Sequence, residues 1–247
     1  QNDVYSPYAA RTVAVLSGLV FADPRAVRAA SVLSAWDRRA DTRGPSRLFF
    51  AFMKELRKAA GPSATRVTWS MLDRMIDGTQ AQSFWDDKST PKVETREGRI
   101  ESALAAAIDT VEREDGTDPV RWSFGKAHHL AYDHAFASAL PPSIAKRIAI
   151  GPVALPGEWH TLNVAGFPLR GERYDVTQIP SARLIVDLSD PDATRLVLPL
   201  GQSGQLLDRH SKDQLRAWSR GDDFPLPFTA KAVEAATIST VHFVPAD

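Results

Sequence analysis

The chain has 247 residues, 43% of them hydrophobic and 24% charged, ordinary globular values that allow one large domain or two small ones around a sizeable core. Thirty basic and thirty acidic residues cancel to zero formal charge, which removes any bulk electrostatic case for nucleic acid or an anionic membrane. Cysteine is absent, excluding disulfide scaffolds, Cys-ligated zinc and thiol catalysis, and no apolar run approaches the ~20 residues that span a bilayer.

The first half reads as helices. Ser6-Pro7 is a helix start, a cap residue followed by proline at the first helical position, and Val13, Leu16, Leu19 and Val20 form one apolar stripe behind it. Asp23-Pro24 repeats the signal, with Val27, Ala30 and Leu33 on one face and Trp36 closing it. Ser46 opens a third helix in which Leu48, Phe49, Phe52, Met53 and Leu56 recur at helical spacing, and Gly61-Pro62 stops it. A fourth helix covers Trp69 to Ile76, with Gly78 after it. Asp86 to Glu94 is polar, contains Pro91 and reads as a loop. Ile100, Leu104, Ile108 and Val111 mark a long helix ending at Asp115-Gly116, with Gly98 in its first turn.

Beyond Trp122 the texture changes. Arg183 to Leu188 and Arg195 to Leu198 are short β-branched runs separated by the turn Ser189-Asp190-Pro191-Asp192, the pattern of a hairpin. Thr161 to Ala165 and Ile238 to Val244 are further strand candidates, and Ser211 to Trp218 reads as a short helix. The fold class is therefore α+β. Residues 1–140 form a mainly helical region and residues 141–247 an antiparallel β region with a short helix, completing one core. Pro141-Pro142 is a loop-like break between them.

Each candidate for chemistry is incomplete on its own residues. Gly201-Gln202-Ser203-Gly204 lacks the glycine two places after the serine that a nucleophile elbow needs, so it reads as a turn. His128, His129 and His134 with Asp133 miss the i,i+4 spacing of helical zinc ligands and read as structural histidines rather than a metal site. Ser143-Ile144-Ala145-Lys146 fits Ser-x-x-Lys without its companion motifs, so Ser143 reads as a helix cap. Asp86-Asp87, Asp190/Asp192 and Asp222-Asp223 lie in polar turns and read as solvated carboxylates. Neither a phosphate loop nor a dinucleotide fingerprint is present.

A larger pattern emerges from landmarks taken together. Leu198-Pro199-Leu200-Gly201-Gln202-Ser203-Gly204, then Asp208 to Gln214 with His210, Trp218 and Pro225-Leu226-Pro227-Phe228, resembles the C-terminal signature of the penicillin amidase family of N-terminal nucleophile hydrolases. Pro7-Tyr8-Ala9-Ala10-Arg11 is similar to that family's Pro-Tyr-Arg-Ala-Arg segment. Leu33-Ser34-Ala35-Trp36-Asp37, Trp122 to His128, and Pro180-Ser181-Ala182-Arg183 also fall in the family's order. Phe124 replaces the usual second Trp, and Ile179 stands where Gly is usual.

The resemblance implies an αββα sandwich and an amidohydrolase acting on N-acyl compounds such as penicillins. Members cut their own precursor, and the nucleophile is a serine at the start of the β subunit whose α-amino group serves as base. Residue 1 here is Gln, which bears no such nucleophile, so the resemblance implies the C-terminal part of a β subunit whose serine lies on another chain or segment. The implied partners are the α chain and the N-terminal part of β, with a small N-acyl substrate and neither nucleic acid nor membrane span. No cofactor is expected in this chain, because the family's calcium ligands, like its oxyanion Asn, lie upstream. Arg11 is the best match to a family arginine beside the catalytic pocket that supports the oxyanion Asn, with Thr12 the neighbouring register. The family implies a periplasmic or secreted location; no signal-peptide pattern opens this chain, as an internal piece of a precursor would also show. The Gly-Gln-Ser-Gly form leans toward the penicillin acylase branch. A lactone acylase of the same family, or a non-catalytic α+β module, are the competing readings.

Overall fold

The structure is a computed structural model describing residues 2–59, 67–79, 85–169, 173–205 and 208–245; the expected stop at Gly61-Pro62 lies outside them. It resolves into two compact units, residues 1–179 and 180–247.

In the first unit, helix α1 (Pro7–Ser17) starts where the cap signal puts it. Ser6 is extended and its hydroxyl accepts from the Ala9 amide at 3.0 Å, while Pro7 occupies the first helical position. Val13 and Leu16 are buried as expected, alongside Tyr8, Ala9 and Thr12. Val20 is not part of that stripe. The helix has ended by Gly18, so the 3.6-residue period no longer applies and Val20 is 96% exposed.

Helix α2 (Pro24–Ala35), capped by Asp23, buries Ala26, Ala29 and Leu33. The expected face of Val27, Ala30 and Leu33 is thus rotated: the alanines turn inward and Val27 faces outward, because small side chains let a packed helix approach closely. Helix α3 (Ser46–Lys58) is the centre of the unit, with every residue from Ser46 to Met53 buried, including Arg47. Its first two turns carry the apolar run Leu48 to Met53 and lie inside, while Lys54, Glu55, Arg57 and Lys58 keep the last turns partly open to solvent. Arg47 is neutralised there by Glu114 and by Asp115 at 3.6 Å.

Helix α4 (Trp69–Asp77) is capped by Thr68 and closed by Gly78 in the left-handed region. Helix α5 (Arg96–Asp115) is capped by Thr95, whose hydroxyl accepts from the Gly98 amide, and ends at Gly116. It lies against α2, tied by Arg25–Asp109 and Arg28–Glu112 pairs, both at 2.7 Å. The aromatic core gathers around α3: Phe50 stacks on Phe124 at 4.6 Å, Phe124 on His128 at 4.3 Å, and Phe167 meets both edge-on.

Two strands in this unit were not legible in the sequence. β1 (His129–Tyr132) pairs antiparallel with β2 (Ile150–Ala154), and α6 (Pro142–Ile148) lies between them. β2 carries Gly151 and Pro152, residues that argue against a strand on local grounds. Ser143 lies inside α6 and caps nothing, since Pro141 stands at the cap position. Thr161 to Ala165 is a hydrogen-bonded loop rather than a strand.

In the second unit, β3 (Arg183–Ile185) and β4 (Arg195–Val197) pair as the expected hairpin, Leu184 opposite Leu196, but the ladder is shorter than the apolar runs. β5 (Phe224–Pro225), which ends at the first residue of the Pro-Leu-Pro-Phe stretch, adds to β4 as an edge where a proline costs no ladder bond. Helix α7 (Leu215–Arg220) begins later than expected because Arg209–Ser211 forms a separate 3-10 turn. Helix α8 (Ala230–Ala236), capped by Thr229, follows. Ile238 to Val244 is not a strand; its side chains are exposed and it pairs with no strand among the described residues.

Candidate functional site

A buried polar arrangement in the first unit lies where the start of α1 meets the loop 157–163. Glu158 is fully buried. Its Oε1 accepts from Ser6 Oγ at 2.6 Å, and its Oε2 accepts from the His160 amide at 2.9 Å and faces His160 Nδ1 at the same distance. The His160 ring lies flat on Tyr8, 4.6 Å between centroids at 13°, with Trp69 against both edges. Burial, reinforced by Asp73 and Glu158, drives the Tyr8 phenol far above its ordinary range, so it is neutral. Tyr8 Oη and Thr12 Oγ1 are both buried without a hydrogen-bond partner among the described residues.

Arg11 stands one turn beyond Tyr8 on the outer side of α1. Its guanidinium lies 5.9 Å from the Tyr8 ring and 3.4 Å from Asp73 on α4, and its side chain is 65% exposed. Together with Thr12, Val15, Asp73, Ile76 and Asp77 it lines a groove of about 300 Å³ between α1 and α4. Of the two registers left by the sequence, Arg11 thus opens to the groove and Thr12 turns into the core.

The histidines do not converge. His128 is a core residue whose Nδ1 lies 2.8 Å from the Leu155 carbonyl and Nε2 3.1 Å from that of Ala165. Burial lowers its pKa to about 4 against the opposing pull of those two carbonyls. His129 meets Arg173 and Asp175, and burial followed by Arg173 lowers its pKa. His134 is removed from both, its ring against Phe136. Among the described residues no group of three or more His, Cys, Asp or Glu is placed to hold a metal.

Ser203 serves the turn it was expected to serve. Its amide donates to the His210 carbonyl at 3.1 Å and its hydroxyl accepts from the Gln205 amide at 3.2 Å. Gly201 is needed by space: a Cβ there would stand 2.1 Å from the His210 carbonyl oxygen. His210 Nδ1 faces Asp213 at 2.7 Å and Gln214 Oε1 accepts from the Leu198 amide, so the Gly-Gln-Ser-Gly and His-x-x-Asp-Gln landmarks are two sides of one locked turn. Arg183, mostly buried, lies 4.5 Å over the Trp218 ring and donates to the Trp218 carbonyl at 2.6 Å. The paired carboxylates do more than face solvent: Asp192 accepts from the Phe228 and Thr229 amides, and Asp223 pairs with Arg195. The Thr229 bonds hold the Asp192 pKa low.

Glu158 and His160 went unnoticed in the sequence. A Glu-x-His pair in a loop carries no periodicity, and only the fold brings Ser6 to it across 152 positions.

A helical unit built around α3 and a second unit of short antiparallel strands, which carries a turn locked by Gly, His, Asp and Gln, make an α+β chain. The family model for penicillin amidase matches residues 1–235, and the chain belongs to that family. Among solved structures it is similar to a thermostable penicillin G acylase from Alcaligenes faecalis, with a TM-score of 0.54 and 14% identity, over 99% of this chain and 48% of that one. Relatives include acyl-homoserine lactone acylases QuiP of Pseudomonas putida (28% identical over 71% of this chain and 22% of the relative) and Pseudomonas aeruginosa (28%, over 72% and 23%). Another QuiP, from Pseudomonas syringae pv. syringae, is 31% identical over 61% of this chain and 18% of its own. The chain therefore spans about a fifth of the length of these relatives.

Proposed function

We propose that the chain is the structural C-terminal portion of an N-terminal nucleophile acylase that cleaves the amide of N-acyl compounds, the nucleophilic serine being supplied by another chain or segment of a self-cleaving precursor. The family match over residues 1–235 carries this reading. Two features support it. No complete nucleophile–base pair is assembled among the described residues, and the second unit leaves Leu184, Ile185, Val186, Leu188, Phe228 and Phe243 exposed, an apolar surface suited to cover by companion segments. The named relatives favour acyl-homoserine lactones over penicillins, against the lean of the Gly-Gln-Ser-Gly form.

In this reading, attack on the acyl carbonyl comes from a serine whose own α-amino group, with an ordinary pKa of roughly 8, takes the proton near neutral pH. Donors outside the chain stabilise the oxyanion. Arg11 supports that donor set from the α1–α4 groove, and the remaining residues form the folding complement. Export to the periplasm or beyond fits the family.

Intact mass and N-terminal sequencing of every polypeptide in the native sample test the reading. A companion chain beginning with Ser is expected; a lone 27.1 kDa species with no companion overturns it. In the assembled enzyme, Arg11→Ala is expected to cut turnover severely, and wild-type turnover removes Arg11 from the mechanism.

A further inference from the structure

We propose that Glu158 is a positioning residue for the acylase reaction: it clamps the first turn of α1 to the loop 157–163 and so sets where Arg11 stands. The proposal rests on the role given to Arg11 above.

The carboxylate is the meeting point of three donors. Ser6 Oγ, the His160 amide and the His160 ring nitrogen all converge on its two oxygens within 2.9 Å, and the carboxylate and Ser6 are closed to solvent while His160 is partly exposed. An isolated buried carboxylate is strongly disfavoured, and charge-assisted bonds to several donors are what make one tolerable. They also make it directional. Ser6 is the cap of α1, so the same hydroxyl that donates to Glu158 accepts from the Ala9 amide. His160 carries the constraint two residues further along, through its ring stacked on Tyr8. Tyr8 and Arg11 lie three positions apart on one helix, and side chains at that spacing are neighbours.

The loop that presents Glu158 is itself rigid. The Glu158 amide donates to Thr161 Oγ1 at 2.9 Å, Thr161 Oγ1 donates to the Asn163 carbonyl at 2.7 Å, and the Asn163 amide donates to the Asp3 carbonyl at 2.8 Å. The Gly157 amide donates to the Ala40 carbonyl at 2.7 Å. Gly157 has φ +99°, and a Cβ there would stand 2.0 Å from the Asn163 oxygen, so the turn admits only glycine. On the other side the Arg11 guanidinium has a long, exposed contact to Asp73 and the face of the Tyr8 ring, 5.9 Å away, which His160 also holds. The placement of its backbone comes from the buried end of α1.

The test uses the complete processed acylase with Glu158→Gln, Ser6→Ala, Arg11→Ala and the double variant E158Q/R11A. Functional serines are counted with a serine-directed sulfonyl fluoride, and kcat and KM are measured on a chromogenic N-acyl anilide. Glutamine keeps the volume but offers an N–H₂ where a donor now points. E158Q is expected to titrate like the wild type yet lose about 10- to 100-fold in kcat, the scale of a small misplacement, with KM within about 2-fold. S6A is expected to show a smaller fall of the same kind. In the R11A background E158Q should add less than about 2-fold, because both act on one interaction.

Wild-type kcat in E158Q, or losses that multiply with R11A, overturns the proposal while leaving the reading of Arg11 intact. Wild-type turnover in R11A overturns both. Should E158Q fail to accumulate, S6A decides: a lowered kcat at full serine titre supports the clamp, and an unchanged kcat overturns it.

Discussion

His128 offers the sharpest quantitative test of the core. Its ring sits between two backbone carbonyls, and a neutral imidazole has one N–H to give, so one carbonyl is left facing a lone pair. Two acceptors alone would favour the imidazolium. Burial outweighs them and holds the folded pKa at about 4, against 6.5 in the unfolded chain. The folded state therefore resists a proton that the unfolded state accepts. Stability from this source is complete above pH 6.5, declines by about 1.4 kcal/mol per pH unit on acidification, and levels off below about pH 4, a loss of about 3 kcal/mol in all. His129, also lowered by burial, adds a decline of the same sign, so the assay must isolate one ring. Urea unfolding from pH 7.5 to 4.5 is expected to lose about one proton's worth of slope in His128→Gln relative to the wild type. By NMR the His128 ring should stay neutral down to about pH 4. A His128 titration near or above pH 6.5 would refute the reasoning, because it would mean that the carbonyl pair beats desolvation.

Other substitutions probe the remaining parts. Ser203→Ala should leave turnover of the assembled enzyme unchanged, since the hydroxyl only caps a local turn; a dead but folded S203A enzyme makes it catalytic. Gly201→Ala should destabilise the second unit by at least ~2 kcal/mol, because the new methyl meets a backbone oxygen that has nowhere to go, and an unchanged melting temperature contradicts this. Phe124→Ala removes the ring stacked between Phe50 and His128 and should cost about 3–5 kcal/mol in denaturant unfolding. Arg183→Leu removes one of the two donors on the Trp218 carbonyl, leaving the Gly221 amide, and takes the cation from the ring, for about 1–2 kcal/mol by the same measurement.

The helices of the first unit were legible because their information is local. Ser6-Pro7, Asp23-Pro24 and the glycines at 78 and 116 act within one turn of themselves, so these caps and stops fell where the residues put them. Family membership was legible for a related reason. The Gly-Gln-Ser-Gly, Asp-Gln and Trp landmarks must sit in fixed order for one turn to lock, and order survives in a sequence without a fold. The hairpin β3–β4 likewise followed from β-branched runs and a turn between them.

Tertiary structure decided what depends on partners distant in the chain. Which face of α2 turns inward was set by how close α5 could come, and not by which residues are most apolar. β1 and β2 exist because 129–132 and 150–154 pair with each other, which overrides a glycine and a proline that argue against a strand. Ile238 to Val244 has the residues for a strand but pairs with none among the described residues. Above all, the Ser6–Glu158–His160 cluster has no sequence signature, for burial and convergence on one carboxylate are properties of three dimensions. Hydrogen-bond chemistry could be anticipated residue by residue, but only the packed chain sets which donors meet which acceptors.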